Sequence, residues 1–109
     1  MPRQALVVLT ESMFYVLMAL RQGPRCGIDV ADFIDRQTAR RVAVGPATLY
    51  TILGKFVQEK WIREIEVDGR KRTYQITDKG NMAYEQEIQR LRHMLADAER
   101  TRGGADHDR

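Results

Sequence analysis

Apolar residues recur at helical spacing through Met13, Val16, Leu17 and Leu20. Thr10, just ahead of them, offers a side-chain oxygen to an orphan amide, and Glu11 places an acid at the positive end of the dipole. Gly23-Pro24 then ends the run, so a first helix is predicted between these signals. From Gly27 to about Thr38, Val30, Ala31, Phe33 and Ile34 share one side, while Asp29, Asp32, Asp35 and Arg36 lie outside, which predicts a second helix. A short extended stretch, 42–44, leads to Gly45-Pro46. Proline suits the first helical position because its missing N–H has no partner there in any case. A third helix is predicted from Pro46 to about Lys60.

The period then changes. Ile62, Ile65 and Val67 stand on one flank of Asp68-Gly69, and Thr73, Tyr74 and Ile76 on the other. Asp-Gly favours a two-residue hairpin turn, which needs positive φ at both positions, so strands are predicted over 62–67 and 70–76. With that turn, Val67 pairs with Arg70 and Glu66 with Lys71. Thr77-Asp78 begins a last long helix reaching about Arg102, and the polar residues after Gly103-Gly104 are expected to fray. Along that helix Tyr84, Ile88, Leu91, Leu95 and Ala98 are spaced 4, 3, 4 and 3 residues apart, the spacing of a coiled-coil seam. A stripe extending this far beyond a domain already closed by the hairpin predicts a partner chain as its cover. Folding back on the first helix would be the alternative.

The predicted fold class is mainly α with a small β-hairpin. Three short helices followed directly by a hairpin are the element order of a winged helix-turn-helix, here extended by a long C-terminal dimerisation helix. The domain organisation expected is a DNA-binding unit over 1–77, a dimerisation helix over 78–102 and a flexible tail over 103–109. In a winged helix the third helix enters the major groove and the hairpin tip meets the backbone or the minor groove. Stepping 100° per residue along the third helix puts Leu49, Ile52, Leu53, Phe56 and Val57 on one side as core. Ala47, Thr48, Thr51, Gly54, Lys55 and Gln58 occupy the other side, with Tyr50 at the flank. A solvated helix would also carry a polar face, but it would usually include acids. Here the first acid after Pro46 is Glu59.

Composition sharpens this picture. At 109 residues, 43% of them hydrophobic, the chain supports one modest core. The net charge is only +3, yet the stretch from Arg36 to Lys79 carries the excess: Arg36, Arg40, Arg41, Lys55, Lys60, Arg63, Arg70, Lys71, Arg72 and Lys79 against Glu59, Glu64, Glu66, Asp68 and Asp78. Lys55 is the candidate phosphate or guanine contact on the third helix, and Arg70, Lys71 and Arg72 at the wing tip are candidates for phosphate neutralisation or minor-groove insertion. Arg40 and Arg41, just before the third helix, are further backbone-contact candidates that the sequence does not separate. No long apolar run or charged leader is seen, which predicts a soluble, cytoplasmic protein without a membrane partner.

Four blocks, in order, carry a family likeness: Thr10-Glu-Ser-Met-Phe-Tyr-Val-Leu-Met-Ala-Leu20, Gly23-Pro-Arg-Cys-Gly27, Gly45-Pro-Ala-Thr-Leu-Tyr50, and Gly69-Arg-Lys-Arg-Thr-Tyr74 followed by Ile76-Thr-Asp-Lys-Gly80. Together they resemble the PadR family of winged-helix transcriptional repressors, in its short form with a single helix after the wing. The resemblance implies a homodimer on a palindromic operator in double-stranded DNA, and repression relieved by a small aromatic or lipophilic effector. It also implies DNA contacts at Thr48, Tyr50, Thr51, Lys55 and the basic wing. A winged-helix module that binds protein instead of DNA is the competing expectation.

Catalytic chemistry is not predicted. His93 and His107 lack a second ligand at helical spacing, and no Gly-rich phosphate loop or Cys-His pair is present, so neither a metal nor a cofactor is expected. Cys26, the single cysteine, is expected to be a small packed residue, although a helix start beside it could lower a thiol pKa. Trp61, the single tryptophan, is expected in the core.

Overall fold

The computed structural model describes residues 8–68 and 71–107, with side chains placed at 8–65 and 72–103. The elements run α1 (Glu11–Arg21), β1 (Arg25–Cys26), α2 (Gly27–Gln37), α3 (Pro46–Gln58), β2 (Ile62–Asp68), β3 (Lys71–Ile76) and α4 (Asp78–His107). Thr10 caps α1 as its position predicts, its hydroxyl accepting the Met13 amide at 3.1 Å. α1 is the centre of the core. Its Val16, Leu17, Ala19 and Leu20 are buried against Val30 and Ile34 of α2, Leu49, Leu53 and Phe56 of α3, and Tyr74 of the sheet.

Both α2 and α3 end by the same device. In each the chain turns left-handed, at Ala39 and again at Arg40 (φ 67) after α2 and at Lys60 after α3, and the amide following the first left-handed residue reaches back five residues. Ala39 (φ 51) lets Arg40 N–H bond the Asp35 carbonyl at 2.8 Å, and Lys60 (φ 67) lets Trp61 N–H bond the Phe56 carbonyl at 2.9 Å. These are Schellman ends, in which the residue after the turn commonly packs back on the helix. Trp61 does so, its ring centroid 5.3 Å from that of Phe56. The tryptophan is buried, as expected. The predicted extended stretch at 42–44 is a bare connection, while Thr38 Oγ1 accepts the Val42 amide at 3.1 Å and pins it to α2.

The sheet has three strands in the order β1-β3-β2, all antiparallel. β1 was not foreseen from the sequence. Its two residues pair Arg25 with Tyr74 and Cys26 with Thr73. The hairpin register also differs from expectation: Val67 faces Arg72 and Glu66 faces Thr73, while Asp68 pairs with Lys71. The whole of this difference follows from Asp68 joining the ladder instead of turning. Further from the tip a bulge shifts the register again, because Glu64 pairs with Tyr74 and Glu66 with Thr73, leaving Ile65 as an extra residue on β2.

α4 continues past Arg102 through the glycine pair to His107. Once a helix is nucleated, each further residue adds one bond for one residue ordered, so a glycine pair need not stop it. At 1.5 Å per residue it is about 45 Å long. The radius of gyration, 16.7 Å, exceeds the roughly 13 Å of a compact chain this size, so much of α4 projects from the body. No helix among the described residues is long and apolar enough to cross a membrane.

Gly80, in the first turn of α4, shows how closely that helix is seated. A Cβ there would collide with the Trp61 carbonyl oxygen and come within 2.8 Å of Ile76 Cγ1. That carbonyl already accepts the Thr77 amide at 2.9 Å and has no room to retreat. Gly80→Ala is therefore expected to lower the unfolding free energy by about 1–3 kcal/mol in urea titrations. Gly27→Ala should cost less, since the obstruction there is the Tyr50 ring, which can swing aside. Equal stability of the wild type and Gly80→Ala would show that the α4 start is loosely held.

Candidate nucleic-acid interface

α3 divides as its periodicity predicts, with one correction. Leu49, Ile52, Leu53 and Phe56 are buried, but Val57 remains 39% exposed. It lies in the last turn, where the chain leaves toward β2 and no element covers it. On the other side Ala47, Thr48, Thr51, Gly54, Lys55 and Gln58 are all exposed. Thr51 Oγ1 donates to the Ala47 carbonyl at 2.9 Å, so its proton is used within the helix and its lone pairs face outward. Thr48, Thr51 and Lys55 fall within about 60° of one another around the axis. Tyr50 is half-exposed and leans over Gly27 at the start of α2, bridging the two helices.

The structure separates the two arginines of the α2–α3 connection. Arg41 Nη1 donates to Glu11 Oε2 at 2.7 Å and Nη2 to the Tyr15 hydroxyl at 3.0 Å. The hydrogen bond to Glu11, followed by the carboxylate's charge, holds the Arg41 pKa above its ordinary value. This arginine braces the connection onto α1. Arg40 is the more available cation, its side chain 84% exposed and its nearest acid, Asp35, 3.7 Å away.

On the wing, Arg72 is exposed and reaches Glu64 across the strands at 3.3 Å. An exposed pair of this kind is worth no more than about 1 kcal/mol and yields to a stronger anion. Arg70 and the side chain of Lys71 lie outside the described residues, so only Arg72 of the three predicted wing cations is placed. The Tyr74 phenol, buried at the wing's root, has its pKa raised by burial first and by Glu64 second.

The predicted seam on α4 divides in two. Tyr84 is buried within its own chain, its ring stacked on Phe14 at 5.0 Å and 9°. Arg21 lies over the Tyr84 ring at 4.8 Å and pairs with Glu85 at 3.0 Å, fastening α4 to α1. Burial, the largest cause, raises the Tyr84 pKa. Ile88 also packs against this core. Beyond it Leu91, Met94, Leu95 and Ala98 are exposed. Glu87 is buried and takes the Arg90 Nε–H at 3.0 Å, a hydrogen bond that raises the arginine's pKa.

Cys26 is buried where β1 meets α2. His93 is exposed, and no cluster of three metal-ligating side chains occurs among the described residues.

Residues 16–86 match the transcriptional regulator PadR-like family. The chain belongs to the PadR-like family. The match runs from Val16, midway along α1, to the first turns of α4, and so takes in β1, α2, α3 and the hairpin. A transcriptional regulator from Clostridium thermocellum superimposes on this PadR-like chain with a TM-score of 0.73 at 20% identity, covering 81% of this chain and 89% of that one. A PadR-family regulator from Clostridium difficile R20291 gives a TM-score of 0.73 at 14% identity, covering 84% and 98%. Bacillus subtilis PadR in complex with operator DNA gives 0.62 at 21% identity, covering 70% of this chain but 45% of that one. At these identities the likeness is one of fold. No curated protein sequence matches the PadR-like chain.

Proposed function

We propose that this PadR-like protein is a cytoplasmic repressor that binds a palindromic operator in double-stranded DNA as a homodimer and is released by a small aromatic or lipophilic effector. The observation that carries the reading is the outward side of α3. It is exposed, built of small and hydroxyl-bearing groups with one lysine, and free of acids from Ala47 to Gln58. A helix meant only for water has no reason to exclude carboxylates, whereas one lying against phosphates does. Thr48, Thr51 and Lys55 read or position on that side. Tyr50 fixes α3 against α2, and Arg40 and Arg72 with Arg70 and Lys71 supply backbone contacts. The operator complex of Bacillus subtilis PadR supports the same use of the fold.

Dimerisation rests on Leu91, Leu95 and Ala98, joined by Met94. Tyr84 and Ile88 anchor the helix that presents them. Two-fold symmetry would set the recognition helices about 34 Å apart, one turn of duplex. Phe14, stacked on Tyr84 at the foot of the exposed stripe, and the adaptable side chain of Met94 suit an aromatic effector at the seam.

Salt dependence tests the reading. Affinity for duplex from its own promoter should fall linearly on a log–log plot with a slope near −0.9 per phosphate neutralised. Lys71→Ala should weaken binding to all sequences alike and reduce that slope by about one. Affinity that is undetectable, or flat with salt, would instead favour a module that binds protein.

A further inference from the structure

Val57, predicted to be core, is exposed because it faces a cleft. The cleft is about 460 Å³ and is lined by Val57, Lys60, Ile62, Arg63, Glu64 and Thr77. It sits where α3 hands over to the wing, on elements remote in sequence from Leu91 to Ala98. Pockets that hold small ligands run from roughly 300 to 1,000 Å³. Its apolar surface is the exposed flank of Val57, while Ile62, which also lines it, is almost wholly buried.

Its rim is cationic. Glu64, the one acid, is held by Arg72 at 3.3 Å. Arg63 donates from Nε and Nη2 to Gln75 Oε1 at 3.2 and 2.9 Å, a neutral partner that leaves its charge unopposed. Among the described residues neither Arg63 nor Lys60 has a carboxylate within salt-bridge distance. The Thr77 hydroxyl is already committed, donating toward the Lys60 and Trp61 carbonyls and accepting the Gly80 amide at 3.1 Å.

Lys60 is the left-handed residue of the α3 end, at φ 67, where glycine carries no steric penalty. The helix end holds this lysine at the edge of the cleft, by the same turn that Ala39 and Arg40 make after α2.

We propose that this cleft binds a small amphipathic carboxylate, with its apolar end on the exposed flank of Val57 and its carboxylate at Lys60 and Arg63. A neutral lipophile would leave the two exposed rim cations without an anion, and a phosphate backbone would leave the apolar flank of Val57 uncovered. The site is separate from the dimer seam and its binding is read without DNA, so either assignment can fail alone.

The test uses the full-length, ¹⁵N-labelled protein with octanoate as the probe and octylamine as its cationic match. Octanoate is expected to shift the amides of Val57, Lys60, Ile62, Arg63 and Thr77 saturably, and octylamine to leave them unmoved. Lys60→Gly relieves the strained turn, so it should be at least as stable as the wild type in urea. It should nevertheless bind octanoate about tenfold more weakly, the loss of one charge-assisted contact. Val57→Trp, which fills the cleft, should abolish the shifts. The assignment is overturned by equal binding of the two probes or by shifts confined to 91–98. It is also overturned by unchanged affinity in Lys60→Gly, or by no saturable shift up to roughly 10 mM.

Discussion

Replacing Leu91 and Leu95 together by Asp is expected to turn the protein into a folded monomer that has lost most of its operator affinity. The two side chains are 37% and 59% exposed in the protomer, so they contribute little to its own core. A cover from a second chain would remove that remaining area from water on four leucines at once. At about 1 kcal/mol for each half-buried leucine, this gives about 4 kcal/mol of association energy, roughly a thousandfold in the dimer constant. Four new carboxylates crowded into the seam add repulsion to the loss. Sedimentation velocity should report the monomer, and helical circular dichroism should stay near wild type because Tyr84, Arg21 and Glu85 still hold α4 to α1. A monomer can engage only one half-site at a time, so binding to the intact palindrome should collapse. Dimers that survive the double change would show that the pairing surface lies elsewhere.

Phe56→Ala should have the largest effect on stability. Phe56 is wholly buried, and it supplies both the carbonyl and the ring on which Trp61 closes the end of α3. Removing a buried phenyl typically costs about 3–5 kcal/mol, to be set against a total of roughly 5–15 for a domain of this size. Urea denaturation is expected to show a loss in that range, with the tryptophan emission moving red as its stacked neighbour disappears. The change also loosens the joint between α3 and the wing. A loss below 1 kcal/mol would mean that the joint is held by the backbone turn alone and that the ring pair is incidental.

The features legible in the sequence are those decided by near neighbours. Thr10 with Met13, the glycine-proline start of α3 and the alternating flanks of Asp68-Gly69 each act over a few residues, and helices and strands appear where these signals put them. The acid-free side of α3 was readable for the same reason, since one turn determines what its neighbour exposes. What was hidden depends on contacts distant in the chain. Strand β1 is two residues long, too short for a period, and exists because Tyr74 and Thr73 pass beside it. Tyr84 fits a heptad, yet Phe14, far away in sequence, takes it into the protomer's core. Val57 has the right phase for burial and lacks only a neighbour. The left-handed turns at Ala39 and Lys60 carry no glycine to announce them, because packing, and not local preference, holds them there. Arg40 and Arg41 are chemically equivalent on paper. Only the position of Glu11 and Tyr15 makes one a brace and leaves the other outward.

β3 is bonded on both sides at Thr73 and Tyr74, to β1 and to β2, whereas the hairpin beyond them is bonded on one side only. The arm is therefore clamped at its base and built outward from it like a cantilever. On the proposed reading, residues inserted between Asp68 and Lys71 would lengthen its reach along a duplex without disturbing the clamp. Groove preference can in this way drift while the hydrophobic interior stays as it is.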